Sequence, residues 1–311
     1  MRLAPARQPS FARLGAFPRT RGSGTQAWLV ILPGLVLVGV FSVYPLAYAI
    51  YVSMHRLLLT RPDQTPFIGL RNFLDVLAAS EIRVAALKTA EFALLTVPGV
   101  VLLGLGVALL LNQRLRGMWL LRWIILLPWA VPLVAAGVMW RLLVHGNFGA
   151  LNGLLFQLGM IGSYIPFLSD PVLALFAVAV AQVWREFPLA AILVLAGLQT
   201  IPAELHEVAK VDGASALARF LYITLPLLRP SLLVVLVYET MTALAVFDLV
   251  YVLTGGGPGN ATTLFSWYTY ASTFKLLNLG QGAALSLMMA VGLILLIVAY
   301  LRLLPSEEER A

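Results

Sequence analysis

The sequence predicts an all-α, polytopic membrane protein with six transmembrane helices. Three observations support this fold class: 60% of the 311 residues are hydrophobic, only 11% are charged, and the mean hydropathy is +0.91. Soluble domains carry about 25% charged residues, so this chain has too little polar surface to cover a water-soluble globule. The absence of cysteine excludes a disulfide scaffold, a cysteine-ligated zinc site and thiol catalysis.

Six segments have the roughly 20 apolar residues that a helix needs to cross the hydrocarbon core. They are residues 28–51, 89–111, 118–140, 171–198, 231–252 and 282–301. The fourth contains Arg185 and Glu186, with Pro188 just after them, but no Gly or Asn turn signal accompanies the proline. We therefore predict one kinked helix there. The stretch 151–168 is broken by Gly and Pro, which predicts a surface-lying or re-entrant segment and not a seventh span.

The first segment admits a second interpretation, as a secretory signal. Basic residues precede it, and Ala47-Tyr48-Ala49 resembles a signal-peptidase site. The apolar region of a signal is about 7–15 residues long, which is shorter than this segment. We therefore favour an uncleaved first span.

The distribution of Lys and Arg predicts that both termini are cytoplasmic, in the cell membrane. With this orientation the inner side holds Arg2, Arg7, Arg13, Arg19, Arg21, Arg114, Arg116, Arg122, Lys210, Arg219, Arg229, Arg302 and Arg310. The outer side holds fewer, at Arg56, Arg61, Arg71, Arg83, Lys88, Arg141 and Lys275. The predicted parts are a basic arm at 1–27, a transmembrane domain at 28–301 and a tail at 302–311. The outer loop 52–88 mixes both charge signs, which predicts a small folded segment. The basic residues follow topology, so no nucleic-acid partner is expected.

The sequence offers no catalytic or metal-binding constellation. It lacks the GxxxxGK[ST] phosphate loop, so we do not expect it to hydrolyse ATP by itself. His206-Glu207-Val208-Ala209-Lys210 begins like the HExxH zinc-protease motif, but Lys210 replaces the second histidine and is a poor ligand. We expect no catalytic residue, no metal site and no cofactor in this chain.

The segment 201–230 between the fourth and fifth spans predicts a helix–turn–helix at the membrane face. Pro202 can open a helix, and Leu205, Val208 and Ala209 lie at the spacing of one apolar stripe. Gly213 can end this helix in a left-handed conformation. A second short helix follows, with Leu217, Phe220 and Leu221 again at helical spacing, until Pro226 and Pro230 stop it. We expect Phe220 and Leu221 to pack internally. Such an element suits docking into a groove on a partner; a connecting loop packed on the bundle is the alternative.

Three stretches resemble one known family. Glu207-x-Ala209, then Gly213, then Ile223-x-Leu225-Pro226 resembles the EAA loop of permeases from binding-protein-dependent ABC importers, with Val208 in place of the central alanine. Phe67-Ile68-Gly69-Leu70-Arg71-Asn72-Phe73 resembles the outer-loop FxGLxNF of the sugar branch. FDLVYVLTGGGPGNAT, residues 247–262, resembles the end of the fifth span in that branch. The chain is therefore similar to maltose- and glycerol-3-phosphate-type carbohydrate permeases.

The resemblance implies a function and a set of partners. In such importers the EAA loop is a cytoplasmic coupling helix that sits in a cleft of a separate ATPase subunit, which binds ATP and Mg. The expected partners are a second permease (as a heterodimer), two ATP-binding subunits, an extracytoplasmic sugar-binding protein, the sugar and the bilayer. The residues that match the coupling motif are Glu207, Ala209 and Gly213, with Asp212 expected to cap or pair locally.

The residues of the translocation path follow from the cost of polar groups in a membrane. Ionisable side chains in spans are expensive and usually face protein or water. Arg185 and Glu239 lie near the middle of spans four and five, where a pairing is possible. Asp248, Phe247 and Tyr251 lie toward the outer end of span five and offer a sugar both hydrogen-bond partners and aromatic faces. We expect Gly255-Gly256-Gly257-Pro258 to form a flexible outer turn.

An ion-coupled secondary transporter is the alternative function. Such transporters often contain inverted repeats and broken helices at the midplane. We find no clear internal repeat, and a secondary transporter has no use for the 201–230 motif.

Overall fold

The structure is a computed structural model that describes residues 24–113 and 117–303. Within these ranges all the regular elements are helical, and β-type pairing is limited to isolated bridges between His55 and Phe67 and between Leu58 and Asn278. The all-α prediction is therefore confirmed. Most of the predicted N-terminal arm, the pair Arg114 and Arg116, and the end of the predicted C-terminal tail lie outside the described residues.

The chain forms fifteen α-helical segments in the described part. In chain order they are α1 (Gly24–Val38), α2 (Tyr44–Ser53), α3 (Arg71–Ala78), α4 (Ser80–Leu111), α5 (Met118–Ala130), α6 (Leu133–Leu143), α7 (Ala150–Gln157), α8 (Pro171–Thr200), α9 (Ala203–Val211), α10 (Ala216–Arg219), α11 (Leu225–Leu227), α12 (Arg229–Ala245), α13 (Asp248–Leu253), α14 (Phe265–Tyr270) and α15 (Leu279–Leu303). Short π-helical turns continue α1, α10 and α14, at Gly39–Val43, Phe220–Thr224 and Ala271–Lys275.

Four helices are long and apolar enough to cross a membrane: Ile31–Ser53, Ser80–Leu111, Pro171–Thr200 and Leu279–Arg302. Of the described residues, 24–49 belong to one compact unit and those from 50 onward to another, and the first span belongs largely to the first unit. Two further helix pairs qualify only if each bent pair is counted as one span. These are α5 with α6, bent by 93°, and Ala216–Leu227 with α12, bent by 67°.

Two of the predicted spans, residues 118–140 and 231–252, are each interrupted by a break in the helix. The third span stops at Ala130 and resumes at Leu133, where Pro132 has no N–H to continue the hydrogen-bond ladder. The fifth span stops at Ala245 and resumes as α13 at Asp248. The Val246 carbonyl freed by this break accepts a hydrogen bond from Ser266 Oγ, so the interruption is satisfied within the protein.

The fourth span and the segment after α6 agree with prediction. α8 runs as one helix through Pro188, and its N-terminus is capped by Asp170, whose carboxylate accepts the Val172 and Leu173 N–H groups at 2.9 Å. Within residues 151–168 the helical part is the end of the eight-residue α7, which is too short to span a bilayer.

The segment 52–88, which was predicted to lie on the outer side, is folded, as its mixed charge predicted. Its anchor is Asn72, a residue of the FIGLRNF stretch, whose Nδ2 donates to the Ser53 carbonyl at 2.7 Å and the His55 carbonyl at 2.9 Å. Gly280 lies against the same strand-like stretch, and a Cβ there would lie 3.0 Å from Asn72 Nδ2. Asn72 therefore ties the loop after the first span to the start of the last one.

The bundle is assembled around α8, which packs closely against α4. At Gly104 of α4 the two backbones approach so closely that an added Cβ would lie 2.8 Å from Ala190 Cβ and 3.2 Å from the Ala191 amide nitrogen. Small residues at such crossings let dispersion forces hold helices together where lipid removes the hydrophobic drive. Val100, Ala108 and Val194 bury themselves beside this contact.

The second halves of the two broken spans pack on each other. A Cβ at Gly137 of α6 would lie 3.0 Å from Val252 Cβ of α13, and Arg141 Nη1 donates to the Val252 carbonyl at 3.4 Å. Leu249, Val250 and Leu253 of α13 are fully or almost fully buried in the core shared with α4 and α8. The two breaks therefore end in one packed outer layer.

The close contact between α4 and α8 gives a matched pair of substitutions. We predict that Gly104→Ala lowers stability by about 1–3 kcal/mol, because the new methyl group meets a backbone that has no room to move. Gly106→Ala on the same helix meets nothing within 4 Å and should be neutral or stabilising by up to about 1 kcal/mol. Thermal unfolding of the two variants in one detergent would test this; equal unfolding temperatures would contradict the packing described.

Candidate functional site

The predicted helix–turn–helix at 201–230 is present, and its bend has a defined hydrogen-bonded geometry. α9 ends at Val211 with Asp212 as its C-cap, and Gly213 follows with φ +79°, the left-handed conformation that glycine adopts without strain. Gly213 N–H donates to the Lys210 carbonyl at 3.1 Å and Ala214 N–H donates to the Ala209 carbonyl at 2.9 Å. This is the Schellman pattern of a helix end, so Gly213 fixes the angle at which the chain leaves α9.

The second arm of the bend is held by two side chains. Ser215 Oγ accepts the Ala218 N–H at 3.1 Å and caps α10. Arg219 Nη1 reaches back to the Ala214 carbonyl at 2.7 Å, across the bend. From the sequence we used Arg219 only as a basic residue that indicates topology, although basic side chains near a helix C-terminus commonly donate to its free carbonyls. Specific hydrogen bonds therefore fix the conformation of the bend on both sides.

α9 projects from the bundle and buries none of its residues. Its apolar side chains are exposed, with Leu205 at 44%, Val208 at 60% and Val211 at 87%. The carboxylate-bearing residues Glu207 and Asp212 are also exposed, whereas Ala209 is partly buried. An apolar stripe that faces away from its own protein, flanked by charges, is typical of a docking surface. The alternative of a loop packed on the bundle does not fit this exposure.

The expected internal packing of the second arm is only partly present. Phe220 is half-buried, but Leu221 is exposed at 43% and its neighbour Tyr222 at 81%. Our expectation for Leu221 is therefore wrong. The π-helical turn at Phe220–Thr224 adds a residue to the helix, which shifts the face that the periodicity assigned to the interior.

The two helices that flank the loop, α8 and α12, are in close contact near its ends. A Cβ on Gly197 of α8 would collide with Ser231 Oγ and lie 2.8 Å from Ser231 Cβ and 3.1 Å from Leu228 Cδ2. Leu228 is fully buried at this point. We call this contact of Gly197 with Leu228 and Ser231 the inner clamp.

A buried polar cluster lies farther along the same two helices. Arg185 forms an ion pair with Glu186, its neighbour on α8, and the possible pairing of Arg185 with Glu239 is not formed. Glu239 on α12 is 2% exposed and accepts from Thr242 Oγ1 at 3.5 Å. Adjacent residues can pair here because the Arg185 side chain folds back toward Glu186, a geometry that sequence spacing does not indicate. Glu239 still lies near both charges and interacts with them electrostatically.

The predicted outer site residues are brought together with aromatic residues that the sequence analysis missed. The rings of Phe247 and Tyr251 lie 5.4 Å apart, and Tyr270 of α14 lies 4.5 Å from the first and 5.5 Å from the second. Phe274 extends the row at 5.2 Å from Tyr270. Asp248 occupies the first position of α13, directly at the break in the span. The four rings and this carboxylate form what we call the outer aromatic row.

The glycine-rich turn after α13 is ordered, so its expected flexibility is wrong. Thr262 Oγ1 donates to the Gly257 carbonyl at 2.8 Å and pairs with Thr254 Oγ1 at 2.7 Å, while Thr263 Oγ1 donates to the Gly256 carbonyl at 2.9 Å. Gly256 has φ +91° and packs its backbone on the Trp267 ring. The threonines that follow the glycines supply this rigidity.

No cluster of three or more metal-ligating side chains occurs in residues 24–113 and 117–303. His206, the first residue of the HExxH-like sequence, lies on α9 without a second histidine one turn away.

Comparison with known proteins identifies the family. Residues 100–306 match the family model described as "Binding-protein-dependent transport system inner membrane component". The trehalose/maltose transport system permease protein MalF of Thermococcus litoralis is 42% identical over 275 residues, covering 88% of this chain and 92% of the relative. The sulfoquinovosyl glycerol transport system permease protein SmoG of Agrobacterium fabrum is 38% identical, covering 92% of both chains.

A solved structure has the same fold. The crystal structure of a bacterial ABC transporter involved in the import of the acidic polysaccharide alginate contains a chain that superposes with a TM-score of 0.77 at 21% identity, covering 90% of this chain and 94% of that one. The family is one of ABC import permeases, and an ion-coupled secondary transporter is thereby excluded. The chain belongs to the binding-protein-dependent transport system inner membrane components, as a permease subunit.

Proposed function

We propose that this chain moves a sugar or sugar derivative from an extracytoplasmic binding protein into the cytoplasm, as one permease of an ATP-driven importer. Relatives named for trehalose/maltose and sulfoquinovosyl glycerol transport support the substrate class. A second, related permease and two ATP-binding subunits complete the importer, and the partner subunits hold ATP and Mg. Both termini lie in the cytoplasm, on the same side as α9.

The observation that carries this proposal is the exposed face of α9. An apolar stripe of Leu205, Val208 and Val211 with the Glu207 carboxylate beside it fits a groove on an ATPase subunit that is apolar at its base and basic at its edge. Ala209 is a small side chain on the partly buried face of α9. Gly213 sets the angle at which the chain leaves α9. Asp212 adds a second negative charge at the end of α9.

The force applied to α9 has to reach the membrane spans. α8 leads into α9, and α12 follows the bend, so both helices receive the displacement directly. The inner clamp joins these helices near the loop, and the cluster of Arg185, Glu186 and Glu239 lies between them farther along. α8, the coupling loop and α12 therefore move as one body. We therefore assign Arg185 and Glu239 to the contact between α8 and α12 and not to the substrate path.

The outer aromatic row is the better candidate for contact with substrate. Phe247 and Tyr251 present faces on which a sugar ring can stack, and Asp248 supplies an acceptor for hydroxyl groups. The row begins at the break between α12 and α13, so movement of α12 changes its geometry directly. Movement driven by ATP would therefore change the contacts that the substrate makes at this break.

We predict that Gly213→Val and Glu207→Lys each lower the rates of transport and of transport-coupled ATP hydrolysis about tenfold or more. Both variants should still be inserted in the membrane. Valine disfavours φ +79°, and lysine reverses the charge offered to the ATPase. Gly159→Val is the control, because Gly159 is also left-handed, at φ +71°, with open space around it but outside the loop. Uptake of labelled sugar and ATPase assays on the assembled complex would check this. Normal coupled uptake by both variants would rule out the proposed coupling role.

A second prediction concerns the outer aromatic row. Tyr251→Ala and Asp248→Ala should raise the KM for sugar uptake about tenfold or more, because a stacking or hydrogen-bonding contact contributes on the order of 1–2 kcal/mol. Tyr164→Ala removes an aromatic ring that pairs with Phe156, away from the row, and should leave KM unchanged. Uptake at varied sugar concentration measures the effect. Unaltered KM and substrate preference in both variants would remove the row from the path.

A further inference from the structure

A large polar cavity lies beside the coupling loop. Its volume is about 760 Å³, within the range of small-molecule sites, and its walls come from the ends of α4 and α8, the start of α5 and the side of α9. Its lining includes the polar and aromatic side chains of Arg122, His206, Asn112, Gln113, Gln199, Thr224 and Trp119. Nothing in the proposed coupling or substrate path uses this cavity.

The charge of the residues that line the cavity favours a negatively charged ligand. None of the described residues that line the cavity is acidic, and one of them, Arg122, carries a permanent positive charge. Arg122 Nη2 donates to the Leu111 carbonyl at 3.3 Å, but its buried Nε has no hydrogen-bond partner among the described residues. Among the described residues Arg122 makes one hydrogen bond, although a guanidinium has five N–H donors. Such a group beside three amide side chains favours an anion that accepts several hydrogen bonds at once.

We propose that this cavity binds a phosphoryl group. A phosphoryl group offers several acceptor oxygens and suits the planar fork of Arg122, with the amide groups and the His206 ring as further donors. Trp119, which is 68% exposed at the cavity wall, provides a face for the part of the ligand attached to the phosphoryl group. That part is either a sugar ring, in a soluble sugar phosphate, or the glycerol of an anionic lipid headgroup.

A ligand in this cavity would affect the movement of α9, because the cavity lies between α9 and α5. His206 belongs to α9, whereas Arg122 belongs to α5, so a bound phosphoryl group would bridge the coupling helix to a span outside the α8–α12 body. Such a bridge resists displacement of α9 relative to α5. This consequence rests on the proposed coupling role of α9, but binding itself does not.

The test uses the assembled importer in lipid nanodiscs, without ATP or transport substrate, so that its result is independent of transport. In phosphatidylcholine discs, titration calorimetry measures binding of inorganic phosphate and glucose 6-phosphate. In discs that also contain phosphatidylglycerol, native mass spectrometry measures retention of that lipid. The variants are Arg122→Gln, His206→Ala on the unburied α9, and Arg302→Gln as a control that removes an exposed arginine outside the cavity.

We expect the unmodified chain to bind in one of the two arms, Arg122→Gln to bind at least about tenfold more weakly, and Arg302→Gln to match the unmodified chain. His206→Ala should weaken binding by a smaller factor. Binding of the soluble probes identifies a soluble phosphate ligand, and retention of phosphatidylglycerol alone identifies a lipid headgroup. The proposal is overturned if, in both arms, Arg122→Gln and His206→Ala bind the probe as tightly as the unmodified chain does. It is also overturned if Arg302→Gln weakens binding as much as Arg122→Gln does.

Discussion

The structure depends on the closeness with which α8 packs against its two neighbours. Gly104 of α4 brings that helix against Ala190, and Gly197 of α8 brings α12 within a distance that no side chain could occupy. In a bilayer such approach is a main source of helix association, because lipid is as apolar as the side chains it replaces. α8 is therefore fixed on both sides, and the loop that continues it begins from a rigid base.

This rigid base contrasts with the interrupted helices around it. The third span breaks at Pro132 and the fifth at Val246–Phe247, and their outer halves pack together through Gly137 and Val252. In the proposed mechanism, a displacement that enters through the coupling loop passes along α8 and α12 and changes the geometry at these breaks. The outer aromatic row begins at one of them. The proposal therefore assigns the rigid contact near the loop to transmission and the interrupted helices to the response.

Much of the fold followed from the sequence, because its strongest signals are local. Apolar length located the four helices that are long enough to span a membrane by themselves, Gly213 located the bend, and Pro188 without a turn signal predicted one helix in α8. The failures concern contacts between distant residues. The break at Val246 depends on Ser266 to satisfy a carbonyl, the ring of Tyr270 comes from another helix, and the order of the glycine turn depends on Thr262. No periodicity in one segment reports such partners.

The proposed coupling requires that α8, the coupling loop and α12 move as one body. The chain has no cysteine, so spin labels can be attached at Phe176→Cys on α8 and Val234→Cys on α12, two exposed positions, without removing any native cysteine. Electron paramagnetic resonance then measures the distance between the two labels in the assembled importer, with and without ATP. If the two helices move together, the distance is the same in both states. If ATP changes the distance, the helices slide past each other, and the proposed coupling is wrong.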